Sequence, residues 1–497
     1  MRHVTHLVAN EPWSKGARRT GDLVDPATGR VTGTVDLAGA EEVDAAVAAA
    51  SAASHEWRTC SLARRTELLF RLRDLLARRG QEVAELVSAE HGKVRSDALG
   101  EVRRGLEVVE LACGIGELVK GEHSREVSSG IDACSLREPL GVVAGITPFN
   151  FPAMVPLWLV PLALACGNTF VLKPSEKAPA APSLLAALFA EAGFPPGVLN
   201  VVHGDAEAAA ALVAHPEVAA VSFVGSTATA RAVYGAAAAQ GKRVQALGGA
   251  KNHLVVLEDA DLDAAADAAV SGAFGSSGER CMAVSVVVAV GGVGDALVAR
   301  LRERAARIAL GPATDPRAEM GPLISRPHLE RVLAYLESGV AAGARLVLDG
   351  RQHPTSGEPG GFWLGPCLFD CVEPGMPIYD DEIFGPLLCV VRVATLAEAL
   401  GLVRANPYGN GAAVFTRDGA AARVFEREVP VGMVGVNVPV PAPVATHPFG
   451  GWKASLFGDL HVCGPDAIRF YTRLKVVTSR WAPPPPAGPG LAFPTRV

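Results

Sequence analysis

Residues 141–173 read G-V-V-A-G-I-T-P-F-N-F-P-A-M-V-P-L-W-L-V-P-L-A-L-A-C-G-N-T-F-V-L-K, and on this stretch turns the choice between a membrane-spanning chain and a water-soluble α/β protein. From Phe149 to Gly167 it is apolar for nearly the ~20 residues that a spanning helix needs. Pro152, Pro156 and Pro161 interrupt that run and G-N ends it, so it reads as a helix buried inside the protein. On either side, G-V-V-A-G-I-T at 141–147 and T-F-V-L-K at 169–173 are short apolar runs bounded by glycine and proline, the pattern of fully buried strands. Strand, helix and strand in that order predict a parallel sheet.

Working outward, the apolar runs at 198–202 and 219–224 repeat the type, and alanine-rich helical stretches follow Pro182 and Thr227. A second series begins near Leu254, with a helix over 261–273 and strands over 285–290, 345–348 and 387–393. Upstream, 41–54 is alanine-rich, and 63–79 sets Leu68, Leu69, Leu72, Leu75 and Leu76 at helical spacing. The fold class is therefore α/β, with two α/β domains in sequence, and a chain of 497 residues is long enough for two or three cores.

The 46 basic and 52 acidic residues, net −6, form no long run of one sign, which argues against nucleic acid or an anionic membrane as partner and for a small soluble ligand. The cysteines at 60, 113, 134, 166, 281, 367, 371, 389 and 463 lack C-x-x-C or His-paired spacing. They read as reduced thiols of a cytoplasmic protein without a metal site; Cys367 and Cys371 come nearest to a ligand pair. The opening M-R-H-V-T-H-L-V-A-N-E-P-W has no continuous apolar core of an export signal. The proline-rich end from Trp481 reads as an extended arm, with 486–497 a flexible tail.

Several residues have a chemical and a bland reading, and spacing alone does not separate them. Cys281, in F-G-S-S-G-E-R-C-M-A, is a candidate nucleophile beside Arg280, which would favour its thiolate, or an inert packed thiol. G-x-G-x-x-G is absent; Gly225, after a strand and before Ser226 and Thr227, offers backbone N–H groups to a pyrophosphate or is an ordinary turn. Lys173 and Glu176, in K-P-S-E at a strand end, grip ribose hydroxyls or stand in a solvated turn. Glu382, in D-E-I-F-G-P, faces a ligand or belongs to a loop.

Taken in order, T-P-F-N-F-P at 147, K-P-S-E at 173, F-V-G-S at 223, L-G-G at 247, G-E-R-C at 278, E-I-F-G-P at 382 and P-F-G-G-W-K at 448 resemble the aldehyde dehydrogenase superfamily. F-N-F-P-A-M-V-P-L-W, G-K-R-V-Q-A-L-G-G-A-K-N-H, G-E-R-C-M-A and F-Y-T-R-L-K-V-V-T-S-R-W are similar to its CoA-acylating methylmalonate-semialdehyde dehydrogenase branch, over about 25–481. The resemblance implies an atypical Rossmann NAD-binding domain at 1–120 and 141–250, a catalytic domain at 251–450, and a bridging, oligomerisation element at 121–140 and 460–485 that builds a homotetramer. It implies that Thr147, Phe149, Lys173, Glu176, Lys177, Gly225, Ser226, Gly248, Glu382 and Phe384 bind NAD, with Glu176 favouring it over NADP.

It also implies that Cys281 attacks the aldehyde and that Asn150 and a backbone N–H hold the oxyanion. Where hydrolytic members carry a water-activating glutamate before L-G-G, this chain has Ala246, so coenzyme A is the expected acceptor as co-substrate. Arg104, or Arg103 beside it, and Arg280 are candidates for the substrate carboxylate, or for a solvated charge in the case of Arg104. The expected products are propionyl-CoA from methylmalonate semialdehyde and acetyl-CoA from malonate semialdehyde. A hydrolytic semialdehyde dehydrogenase, or a non-catalytic protein of the same fold, are the alternatives.

Overall fold

In the computed structural model, which describes residues 2–13, 15, 19–357 and 359–481, the stretch quoted first folds as strand Val142–Ile146, helix Met154–Ala165 and strand Thr169–Lys173. Every residue of that helix is buried, which is why it is apolar all round. Helix Arg95–Cys113 crosses it at Gly105, where a Cβ would come within 2.5 Å of Leu157. No described helix is long and apolar enough to cross a membrane.

The first large sheet runs in the order Leu456–Phe457, Arg243–Leu247, Val218–Val224, Val142–Ile146, Thr169–Lys173, Leu199–Val201, Leu7–Val8, Glu11–Pro12. Its five strands from Arg243–Leu247 to Leu199–Val201 are parallel. From Val142–Ile146 the chain adds strands in one direction through Leu199–Val201, then returns to the other side with Val218–Val224. Strand order therefore reverses between Val142–Ile146 and Val218–Val224, and a crevice opens beyond their carboxyl ends.

The second sheet orders Arg345–Leu348, Cys367–Asp370, Leu387–Val393, Val284–Val290, Asn252–Val256, Gly411–Phe415 and Met433–Val436, parallel except for Arg345–Leu348. Both series are α/β, as expected. A separate antiparallel ribbon joins Ile131–Pro139 to Thr472–Arg480 and to His123–Ser128. Two features depart from the sequence reading. Helix Leu62–His91 continues past residue 79 because Val83, Ala84 and Val87 prolong its buried stripe across Gly80. Strands Thr20–Asp25 and Arg30–Asp36 were not expected, since glycine, threonine and charged residues leave little apolar alternation to read in them. The tail at 486–497 lies outside the described residues; Trp481, where the arm was expected to begin, is tied to Asp132 and Gly130.

Candidate active site

The crevice at the strand reversal is a cleft of ≈ 400 Å³ lined mainly by residues of the loops and helices around the two sheets, Asn150, Ser226, Cys281 and Glu382 among them. Asn150 comes from the loop after Val142–Ile146, and a buried ion pair fixes that loop. Lys93 Nζ donates to Glu101 Oε2 and to the Asn150 carbonyl, each at 2.7 Å, while Glu101 Oε1 accepts the N–H groups of Ala153 and Met154 at 2.7 and 3.0 Å. Both charged side chains are fully buried. Glu101 thereby caps the buried helix and Lys93 holds the backbone of Asn150, whose Nδ2 donates to the Glu279 carbonyl at 3.0 Å.

Cys281 follows a tight turn in which Ser276, Ser277 and Gly278 all have positive φ, at 52°, 55° and 74°. Gly278 has no alternative there, because a Cβ would collide with the Gly385 carbonyl. Ser277 Oγ anchors the turn by donating to the Gly321 carbonyl at 2.7 Å. Burial pushes the Cys281 thiol up to about 12, and the nearby Glu382 carboxylate adds to the rise. Arg280 acts in the other direction but weakly, because Asp97 holds its guanidinium at 2.5 Å. The expectation that Arg280 draws the thiol towards thiolate is thus outweighed by burial.

Of the other residues singled out in the sequence, Phe149, Lys177, Gly225, Ser226, Gly248, Glu382 and Phe384 line the same cleft. Lys177 Nζ stands 5.4 Å from the centre of the Phe149 ring, which meets Phe384 edge-on at 6.0 Å. Ser226 opens helix Thr227–Ala238 and caps its Thr229 N–H. Glu382 Oε1 accepts from the Ala250 N–H at 2.9 Å, and burial pushes its carboxyl up to about 7. Gly249 faces it with a space that a Cβ would not share with Glu382 Oε2.

Four others sit beside the cleft instead of lining it. Thr147 is buried at the strand end, with Oγ1 lacking a protein partner. Lys173 turns its ammonium onto the carbonyls of Pro174 and Gly204, 3.9 Å from the half-exposed Glu176. Ala246 is wholly buried in the apolar cluster with Ile146, Phe223 and Val244, so no carboxylate occupies that position.

The two arginines expected at the substrate carboxylate do not line the cleft. Arg280 is held by Asp97, and Arg104 donates to Glu107 at 2.8 Å and to the Pro443 carbonyl. Sequence reasoning missed His328 and Arg331, which face the cleft and fasten the Glu382 loop by donating to the carbonyls of Phe384 (2.7 Å) and Ile383 (3.0 Å). It also missed Lys93, Glu101, His91 and Glu279. The S-R-P at 325–327 announces a helix start but nothing about the face that helix presents. Among the described residues no cluster of three or more His, Cys, Asp or Glu is arranged to hold a metal.

The family model of the aldehyde dehydrogenase family matches residues 13–477. A malonate-semialdehyde dehydrogenase of Pseudomonas aeruginosa is 54% identical over 477 residues, 96% of each chain. Malonate-semialdehyde dehydrogenase 3 of Geobacillus kaustophilus is 53% identical, over 92% of this chain and 94% of its own. Among solved structures, methylmalonate-semialdehyde dehydrogenase from Oceanimonas doudoroffii superposes with a TM-score of 0.96 at 51% identity, covering 97% of this chain and 99% of its own. A Sinorhizobium meliloti 1021 protein solved in complex with NAD gives 0.96 at 48% identity, covering 98% and 99%. With a cysteine and an asparagine amide lining one cleft at the strand reversal of a mainly parallel sheet, and with matches spanning nearly its whole length, the chain belongs to the aldehyde dehydrogenase family.

Proposed function

We propose that this enzyme oxidises methylmalonate and malonate semialdehydes with NAD through a thioester on Cys281, and passes the acyl group to coenzyme A. The observation that carries the reading is the convergence of Cys281, Asn150 and Glu382 on one cleft while Ala246 fills the position before Leu247 with a buried methyl. Malonate- and methylmalonate-semialdehyde dehydrogenases among the relatives support the substrate class.

The residues present fit the dinucleotide. The unpartnered Thr147 hydroxyl, the helix start at Ser226 and the Glu382 carboxylate offer donors for phosphate and an acceptor for ribose. Gly225 and Gly248 bring backbone close, Phe149 and Phe384 flank the nicotinamide side, and Lys173, Glu176 and Lys177 meet the adenosine side. When bound, NAD supplies the hydride acceptor. The chain's own residues do the rest. Cys281 Sγ, as thiolate, attacks the aldehyde carbon, and the Asn150 amide with a backbone N–H near Cys281 stabilises the oxyanion.

After oxidation, the thioester carbonyl accepts the electrons released when the β-carboxylate leaves as CO2, and a proton is taken up at carbon. Coenzyme A thiolate then forms the new thioester and Cys281 leaves as thiolate. Arg104 and Arg280 remain our candidates for the substrate carboxylate. Each already serves an acidic neighbour, so recognition uses the remaining N–H groups of the guanidinium or an exchange of partner. The division into NAD-binding (1–120, 141–250), catalytic (251–450) and bridging (121–140, 460–485) parts belongs to the same proposal. The exposed Leu474 and Val476 on the ribbon support its role in a homotetramer, and nine unpaired cysteines support a cytoplasmic setting.

Glu382 favours one second reading. It is a carboxylate in the cleft near Cys281, poised at about 7, and as a base it would let water release free acid. NADH formation from malonate semialdehyde, with and without coenzyme A, separates the two. Steady turnover only with the thiol, and an acyl-CoA one carbon shorter than the substrate by mass spectrometry, is expected. Sustained turnover to free acid without it overturns the acylating reading.

A further inference from the structure

Two buried polar groups face each other next to the nucleophile without touching. Glu279, two residues before Cys281, is fully buried; Oε1 accepts from the Ile324 N–H at 3.2 Å, while Oε2 has no partner. His91, at the end of helix Leu62–His91, is 1% exposed, and neither of its ring nitrogens has a partner. Its Nε2 stands 3.7 Å from Glu279 Oε2, too far for a hydrogen bond and with no room for water between. Both residues also reach the reacting centre. The His91 ring stacks on the cleft-lining Phe149 at 5.9 Å, and the Glu279 carbonyl accepts from the Asn150 amide.

We propose that His91 and Glu279 are positioning residues forming a latch between the cofactor cleft and the Cys281 loop, open as seen here and closed by a hydrogen bond once a ligand ring presses on Phe149. Closure from 3.7 Å needs a shift of about 0.5–0.9 Å, which the turn at Ser276, Ser277 and Gly278 can supply by relaxing its positive φ angles. Burial keeps His91 neutral and pushes Glu279 up to about 8, so near neutral pH a protonated Glu279 donates its O–H to the bare nitrogen of His91. His328, Lys93, Lys177, Arg331 and Arg280 are the other charged or titratable groups that act on the pair. The latch rests on the reading of Cys281 as nucleophile and of the cleft as the cofactor's.

The test is the rate of Cys281 alkylation by iodoacetamide with and without NAD, with NAD affinity followed separately by fluorescence. Glu279→Gln keeps an acceptor for Ile324 and supplies an N–H to His91; Glu279→Leu does neither, and His91→Phe keeps the Ile324 acceptor but removes the nitrogen that Glu279 would meet. Wild type and Glu279→Gln should show the same NAD-dependent change in rate to within about twofold, and the other two should lose about fivefold or more of it at similar NAD affinity. Should Glu279→Leu not fold, His91→Phe against His91→Asn carries the comparison, with the asparagine restoring the response. An NAD response absent from wild type, retained in His91→Phe, or no better in Glu279→Gln than in Glu279→Leu overturns the latch. Activity surviving in Cys281→Ala would instead overturn the nucleophile.

Discussion

Asn150 does two jobs with one side chain, donating to the Glu279 carbonyl at rest and, in our reading, to an oxyanion during reaction. Asn150→Ala should therefore lower kcat by a hundredfold or more, the ~3–4 kcal/mol typical of one oxyanion donor, with KM for NAD little changed. Glu382 raises the Cys281 thiol through its negative charge, so Glu382→Gln should make thiolate easier to form and speed alkylation of the free enzyme at pH 7–8, measured by mass spectrometry. Glu279 yields a third expectation. Its folded pKa, about 8, lies above its unfolded value of 4.5, so its stabilising contribution is complete below pH 4.5 and is lost as pH rises towards 8. Glu279→Gln should match wild type in Tm near pH 5 and exceed it increasingly up to pH 8. That Cys281, Asn150 and Glu382 line one cleft was legible because motif order names them. His91, Glu279 and Lys93 were not, because a lone buried charge declares its partner only when distant segments meet, as Lys93 meets Asn150.

Helix Met154–Ala165 carries no polar cap of its own; Glu101 provides it from a neighbouring helix and Lys93 neutralises Glu101. Lys93→Met leaves a buried carboxylate unpaired, and thermal or urea unfolding should show a loss of about 3–5 kcal/mol. The turn before Cys281 is equally specific. Gly278→Ala forces a Cβ into a left-handed position against the Gly385 carbonyl, at about 1–3 kcal/mol of strain, and should abolish the NADH burst while far-UV circular dichroism stays native. Strands Thr169–Lys173, Arg345–Leu348 and Leu387–Val393 were legible to the residue, because apolar runs end sharply at proline, charge or glycine. The left-handed turn was not. Ser276 and Ser277 are ordinary residues, and their backbone follows from the anchorage of Ser277 on Gly321.

At the scale of the molecule, strand Thr472–Arg480 returns to pair with Ile131–Pro139 and exposes Leu474 (61%) and Val476 (68%) on one face. On the proposed homotetramer, Val476→Asp should shift the sedimentation coefficient to that of a smaller species, with the fold of each chain kept. The sheet at the cofactor side is closed in a similarly delayed manner. Leu456–Phe457 seals the edge of Arg243–Leu247, although the whole second sheet is encoded between them. At roughly 5–20 residues per second on the ribosome, that edge stays bare for on the order of ten to forty seconds, a ready template for another nascent chain. Overexpression yield should then be limited by chaperone supply during translation more than by the stability of the finished enzyme.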